Sequence, residues 1–281
     1  MMQSYFYQKD FYHTTGSTMK KYLRLLLVFV TPSLFSAEVP MIYSLKLGSS
    51  ETQEEALFVQ HAKNSFAKAL QHTSRLSNQD FMNTQAAADW RGSVIKNGRK
   101  SSLKDLTEFR EYHLLNNLCS LPGSSHLHVG LLGGDSFVAA LYGNELSLVQ
   151  KVGLDWFKEC TEELFYRNCY TFLPQDSFRI IKSACFSINK NIFTHPINIY
   201  FYDADHTEES NRKAFTEYND LFANVFIAVF DDWNWDFVRR GAFRGFDELG
   251  YTILYQNVLD GGKEPLRKLQ YVAVIRKDRW R

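Results

Sequence analysis

The chain has 281 residues, enough for one large domain or for one domain of ordinary size behind an N-terminal extension. With 45% hydrophobic and 22% charged residues it has the material for a buried core, which excludes disorder. Lys and Arg number 32 against 31 Asp and Glu, so the net charge of +1 removes the electrostatic case for nucleic acid or an anionic membrane surface as main partner and leaves a small molecule.

Residues 1–18 are polar and aromatic without a period. From Met19, a second candidate start beside Met1, the run Met19-Lys20-Lys21-Tyr22-Leu23-Arg24 leads into an apolar stretch over 25–30 and on to Ala37, the pattern of a bacterial secretion signal over 19–37. Phe35 sits at the third position before a cut after Ala37, where a small residue is usual. A frayed extension or a short buried helix is the competing reading. A cleaved signal implies export, and an uncleaved segment leaves the chain in the cytoplasm; the apolar stretch is too short for a stable membrane span. Residues 1–40 are therefore set apart as an extension.

Residues 41–104 read as a helical and loop cap. Ala56, Leu57, Ala62, Phe66 and Leu70 stand at helical spacing within 51–76, and 77–100 is polar without a period, a loop or lid. Ser102 with Asp105 opens a further helix whose apolar face holds Leu106, Phe109, Leu114, Leu115 and Leu118, the entrance to a main domain over 105–281.

Strand-like runs then recur at 126–132, 148–155, 178–184, 197–203 and 225–230, alternating with polar or helical segments, as in a parallel sheet. After the fourth run, Thr207 is the expected N-cap, Glu208 and Glu209 lie in the first turn, and Ala214, Phe215, Tyr218, Leu221 and Phe222 mark one face. Runs at 251–258 and 269–276 are separated by too few residues for a helix, so they pair antiparallel. The expected fold class is α/β, a Rossmann-like seven-stranded sheet, mostly parallel, with an antiparallel last strand. Cys119, Cys160, Cys169 and Cys185 have no metal-ligand spacing and read as small core residues.

In such a sheet a ligand lies across the carboxyl ends of the strands, so the loops there carry the chemistry. The first is His128-Val129-Gly130-Leu131-Leu132-Gly133-Gly134-Asp135-Ser136, where Gly130 and Gly134 let backbone approach a ligand and Asp135 or Ser136 caps the next helix. Asp155 ends the second run about 25 residues later, the distance at which Rossmann-like folds place an acid on the ribose hydroxyls; a capping Asp before Trp156 and Phe157 is the alternative. Asp203-Ala204-Asp205-His206 follows the fourth run and Asp231-Asp232-Trp233-Asn234-Trp235 the fifth, one βαβ unit apart, so their carboxylates should meet over the sheet. Clustered carboxylates repel unless a cation sits among them. His206 is the nearby proton acceptor, Trp233 and Trp235 are candidate pocket walls, and helix capping by Asp231, Asp232 and Asn234 is the competing account.

Over residues 110–277 these motifs resemble class I S-adenosylmethionine-dependent methyltransferases, the D-x-D-H and D-D-W elements being similar to those of metal-dependent O-methyltransferases. The resemblance implies S-adenosylmethionine held by His128, Gly130, Gly134, Ser136 and Asp155, with Mg²⁺ held by Asp203, Asp231 and Asp232. It implies His206 as the catalytic base and a small hydroxylated acceptor. His128 stands where that family has Glu or Asp, and Ser183-Ala184-Cys185-Phe186 offers no acid beside the adenine. Both departures fit the alternative, a methyltransferase-fold binding module without activity.

Overall fold

A computed structural model describes residues 45–75, 109–260 and 269–278. The signal-like segment 19–37 and the lid segment 77–100 lie outside them.

Among the described residues, eight strands form one sheet: β1 (Lys46–Leu47), β2 (Ser124–Val129), β3 (Leu148–Asp155), β4 (Arg179–Lys182), β5 (Ile197–Tyr202), β6 (Phe222–Phe230), β7 (Thr252–Asp260) and β8 (Leu269–Arg276), in the spatial order β1-β7-β8-β6-β5-β2-β3-β4. Only β8 runs antiparallel, inserted between β6 and β7. The expected seven strands gain β1, contributed by the cap region and parallel to β7. Two residues give too little periodicity to be read from sequence.

Six α-helices are described: α1 (Gln53–Leu70), α2 (Phe109–Leu118), α3 (Asp135–Leu141), α4 (Glu162–Phe172), α5 (Glu208–Thr216) and α6 (Asp236–Glu248). The central strands are apolar on both faces, as a sheet covered on both sides requires. On β6, Val225, Ile227 and Val229 join a core with Phe58 of α1, Leu114 of α2, Phe137 of α3 and Phe165 of α4. Phe226, Ala228 and Phe230 join the opposite core with Phe215 of α5 and Phe246 of α6.

Helix α1 starts as its sequence dictates, with the Thr52 hydroxyl accepting from the Glu55 N–H at 3.1 Å and acids in the positive first turn. Its buried stripe is Glu55, Phe58, Ala62, Ser65, Phe66 and Ala69, whereas the expected face members Ala56, Leu57 and Leu70 are exposed. The stripe was hidden because it includes a carboxylate: Glu55 is buried against the Arg276 guanidinium of β8 at 3.4 Å. An ion pair thus seats the N-terminal cover on the sheet.

Helices α5 and α6 cross closely on the other face. A Cβ on Gly241 would overlap the Glu208 carbonyl oxygen and lie 2.7 Å from Asn211 Cβ, and one on Gly245 would lie 2.9 Å from the Arg212 carbonyl oxygen. Glycine at both positions lets the helix backbones touch, and Arg240 pairs with Glu208 at 2.8 Å across the contact. This contact locks together the loops that precede the two helices.

Candidate functional site

Register alone gathers the site. Val129 pairs with Leu154 and Tyr202, and Tyr202 with Phe230. The residues that follow, Gly130, Asp155, Asp203 and Asp231, therefore stand side by side at one rim. Backbone bonds continue the ladder past the strand ends, from Gly130 N–H to Leu154 O at 2.9 Å and from Asp203 N–H to Val129 O at 2.8 Å. Strand β2 stops at Val129, short of the expected 132, because Gly130 takes φ +90° and turns the chain out. A side chain there would overlap the Asp203 carbonyl, so Gly130 also sets the spacing between the β2 and β5 loops.

The glycine bend is held from three sides. Asp155 Oδ2 accepts from the N–H groups of Leu131 at 2.7 Å and Leu132 at 3.1 Å, while Oδ1 accepts from Phe157 N–H. Leu132 and Phe157 both carry positive φ, +45° and +57°, uncommon for residues with a side chain. The Asn168 amide, buried on α4, donates to the Gly133 carbonyl at 2.8 Å. His128 lies wholly buried in the core, its ring 4.3 Å from Phe201 and its Nε2 3.1 Å from the Ser136 hydroxyl. Burial first, and then the neighbouring His126, holds it neutral. Expected as a cofactor contact, His128 thus reaches the bend only through Ser136, because alternation on β2 turns its side chain into the core. Gly134 takes φ +91° and is the N-cap of α3, a place expected for Asp135 or Ser136. Asp155 caps no helix, since α4 begins only after Thr161.

At the β5 and β6 ends, the His206 Nε2 lies 3.3 Å from Asp203 Oδ1 and 3.1 Å from Asp232 Oδ2. Burial works against protonation of His206, yet the Asp203 contact and the charges of Asp203, Asp232 and Asp231 outweigh it and raise its pKa. Asp205 is spent on the α5 terminus, accepting from Thr207 N–H at 3.1 Å and the Ser210 hydroxyl at 2.6 Å, and Thr207 caps α5 as expected. Asp232 takes φ +50°, which brings its carboxylate back to His206.

Among the described residues, Asp203, His206 and Asp232 place ligand atoms within 4.8 Å of one another, a set able to hold a metal ion. Asp231, expected in that set, is buried outside it and acts on His206 only as a neighbouring charge. Two carboxylates with one imidazole suit a divalent cation, although imidazole favours Mn²⁺ or Zn²⁺ over Mg²⁺. Neither Asp231, Asp232 nor Asn234 caps α6, whose N-cap is Trp235 without a side-chain bond. Trp233 is not a pocket wall: it is buried, stacked on Tyr271 at 4.0 Å. Trp235 is 40% exposed and stands edge-on to His206 at 5.0 Å. Sequence reasoning missed Asn168; its only signal was an amide beside Phe165 and Cys169 on the buried stripe of α4.

No protein-family model matches the chain, and neither does any curated protein. Among solved structures, the cofactor-bound Rv0187 from MTB superimposes with a TM-score of 0.52 at 15% identity, over 75% of this chain and 97% of its own. An O-methyltransferase from Bacillus cereus in complex with SAH gives 0.47 at 13% identity, over 76% and 100%. The N-methyltransferase NodS from Bradyrhizobium japonicum gives 0.47 at 14% identity, over 63% and 99%. The chain spans about half the length of two other matched chains. At these identities the likeness is one of fold. With β8 inserted antiparallel between β6 and β7, the chain has the Rossmann-like fold of class I methyltransferases.

Proposed function

We propose that the chain is an S-adenosylmethionine-dependent methyltransferase acting on a hydroxyl of a small acceptor with help from a divalent cation, Mg²⁺ in the first instance. The observation that carries this reading is that Asp203 and Asp232 converge beside the glycine bend with the His206 ring nitrogen against both carboxylates. S-adenosylmethionine, when bound, supplies an activated methyl group, and a divalent cation supplies a Lewis acid that lowers the pKa of the acceptor hydroxyl. The bend at Gly130 to Gly134, with Ser136 behind it, presents backbone to the donor, and Asp155 faces its ribose. Asp203 and Asp232 hold the cation, with Asp231 adding negative charge. His206 takes the acceptor proton on Nε2, which requires a pH above its raised pKa.

Calorimetric titration of the protein with S-adenosylmethionine, with and without Mg²⁺, tests the reading. Micromolar binding is expected, with Asp155→Ala abolishing it and Asp232→Ala sparing it while removing metal dependence.

One observation favours a second reading, a binding module that has lost the donor site. Asp155 already accepts three backbone N–H bonds, two of them on Oδ2, so its carboxylate has room for one ribose hydroxyl and must release Leu132 to take two. Absence of heat in both titrations, from protein that melts cooperatively, would establish the second reading.

A further inference from the structure

Strand β8 enters the sheet at the rim that carries the acids. Phe230 of β6 pairs with Tyr271 of β8, and the Trp233 N–H then donates to the Leu269 carbonyl at 2.8 Å. Asp231 and Asp232 thus stand together opposite the single residue Gln270, the geometry of a β-bulge, which re-aims side chains beside a site. Gln270 lies one strand spacing, about 5 Å, from that pair. Tyr271 turns into the core under α5 and α6, whereas Val272 and Val274 join the core under α1 to α4. Alternation therefore turns Gln270 to the α1–α4 side, with its β7 partner Leu259 beside it. Gln270 is 1% exposed, and neither its Nε2 nor its Oε1 has a hydrogen-bond partner. The buried amides of Asn144, Asn168 and Asn211, by contrast, each donate to a backbone carbonyl. Folded chains rarely leave both ends of a buried amide unmet, so one beside a candidate site calls for a partner from outside the chain.

We propose that Gln270 is a specificity-determining residue that receives a carboxamide of the acceptor, whose hydroxyl lies at Asp203, His206 and Asp232. Its Nε2 donates and its Oε1 accepts, so the matching group must do both, and a carboxamide does so through two parallel bonds. A carboxylate would leave Oε1 unmet and would face the charges of Asp231 and Asp232. An ammonium would leave Nε2 unmet. One benzene ring spans a strand spacing, and Trp235, exposed beside His206, offers it a flat wall. The hydroxyl end rests on the methyltransferase reading, and the amide end stands without it.

Ligand-observed NMR titration of the protein with 3-hydroxybenzamide and with 3-hydroxybenzoate is the test. It is run without S-adenosylmethionine or metal, so a failure to methylate would leave its result standing. The amide should bind at least tenfold more tightly than the acid, and Gln270→Met, of equal length but without the polar atoms, should remove that preference. The ligand-free variant should also melt about 2–4 °C higher, because it no longer buries an unmet amide. No measurable binding of the amide, equal affinities for the two compounds, or a variant that melts below the parent, as loss of a trapped water would cause, would overturn the proposal. Should the variant not be recovered in soluble form, nitrogen-15 NMR of the unaltered chain decides: a Gln270 side-chain signal that 3-hydroxybenzamide leaves unmoved would refute it.

Discussion

Replacing Gly241 by Ala sets two effects against each other. In an exposed helix interior the change stabilises by about 1 kcal/mol, because alanine loses less backbone entropy on folding. Here the new methyl would overlap the Glu208 carbonyl oxygen and approach Asn211 Cβ to 2.7 Å. Ordinary carbon contact of about 3.5–4.0 Å then requires α5 and α6 to part by about 1 Å. Overpacking of this kind costs about 1–3 kcal/mol, and rigid backbone on the receiving side puts the cost at the upper end. The net loss should be about 2 kcal/mol, or a melting temperature about 4–8 °C lower. Gly245→Ala, whose methyl would stand 2.9 Å from the Arg212 carbonyl oxygen, should lose less. Equilibrium unfolding in guanidinium chloride on the three proteins measures both. A Gly241→Ala protein as stable as the parent, or less affected than Gly245→Ala, would refute the claim that backbone contact fixes this crossing. The separation also has a local consequence: α5 begins directly after His206 and Thr207, and α6 after Trp235, so parting them moves His206 away from Asp232.

Three further outcomes are expected. Asn168→Leu leaves the buried Gly133 carbonyl without its 2.8 Å donor; it should cost about 1–3 kcal/mol in denaturant titration and weaken S-adenosylhomocysteine binding measured well below the melting temperature. Asp155→Asn turns an amide nitrogen toward a neighbouring N–H or leaves one unmet, so the variant should melt lower even without any ligand, as calorimetric scans would record; an unchanged melt would mean that the three backbone bonds are dispensable. The raised pKa of His206 gives a stabilising contact that is complete below pH 6.5 and fades as pH rises through the folded value. Because proton and cation compete for the carboxylates of Asp203 and Asp232, Mg²⁺ or Mn²⁺ titrated at pH 6 and pH 8 should bind more tightly at pH 8, and His206→Gln should flatten that difference.

The architecture was legible because its signals are local. Runs of β-branched and aromatic residues, a Thr207 cap with acids behind it, and a terminal pair too close in sequence for a crossover are each readable within ten or so residues. The strands at 148–155 and 269–276 match the structure to the residue. Spacing by one βαβ unit likewise brought the 203 and 231 loops to one rim. Several assignments failed where a decision depended on which side of an element a residue faces. Asp231 and Asp232 are adjacent in sequence, yet only Asp232 joins His206, because its positive φ turns the chain between them.

By itself, the sequence determined the α/β alternation, the antiparallel ending and the rim on which polar loops gather, since hydrophobic period and turn chemistry act over short stretches of chain. Only the tertiary structure decided that His206 rather than Asp231 completes the acidic group, that Asp155 is occupied by the bend it faces, that His128 is a core residue, and that Glu55 is buried. Those outcomes depend on contacts between residues as many as 221 positions apart, Glu55 with Arg276, and on the burial that sets the cost of every charge.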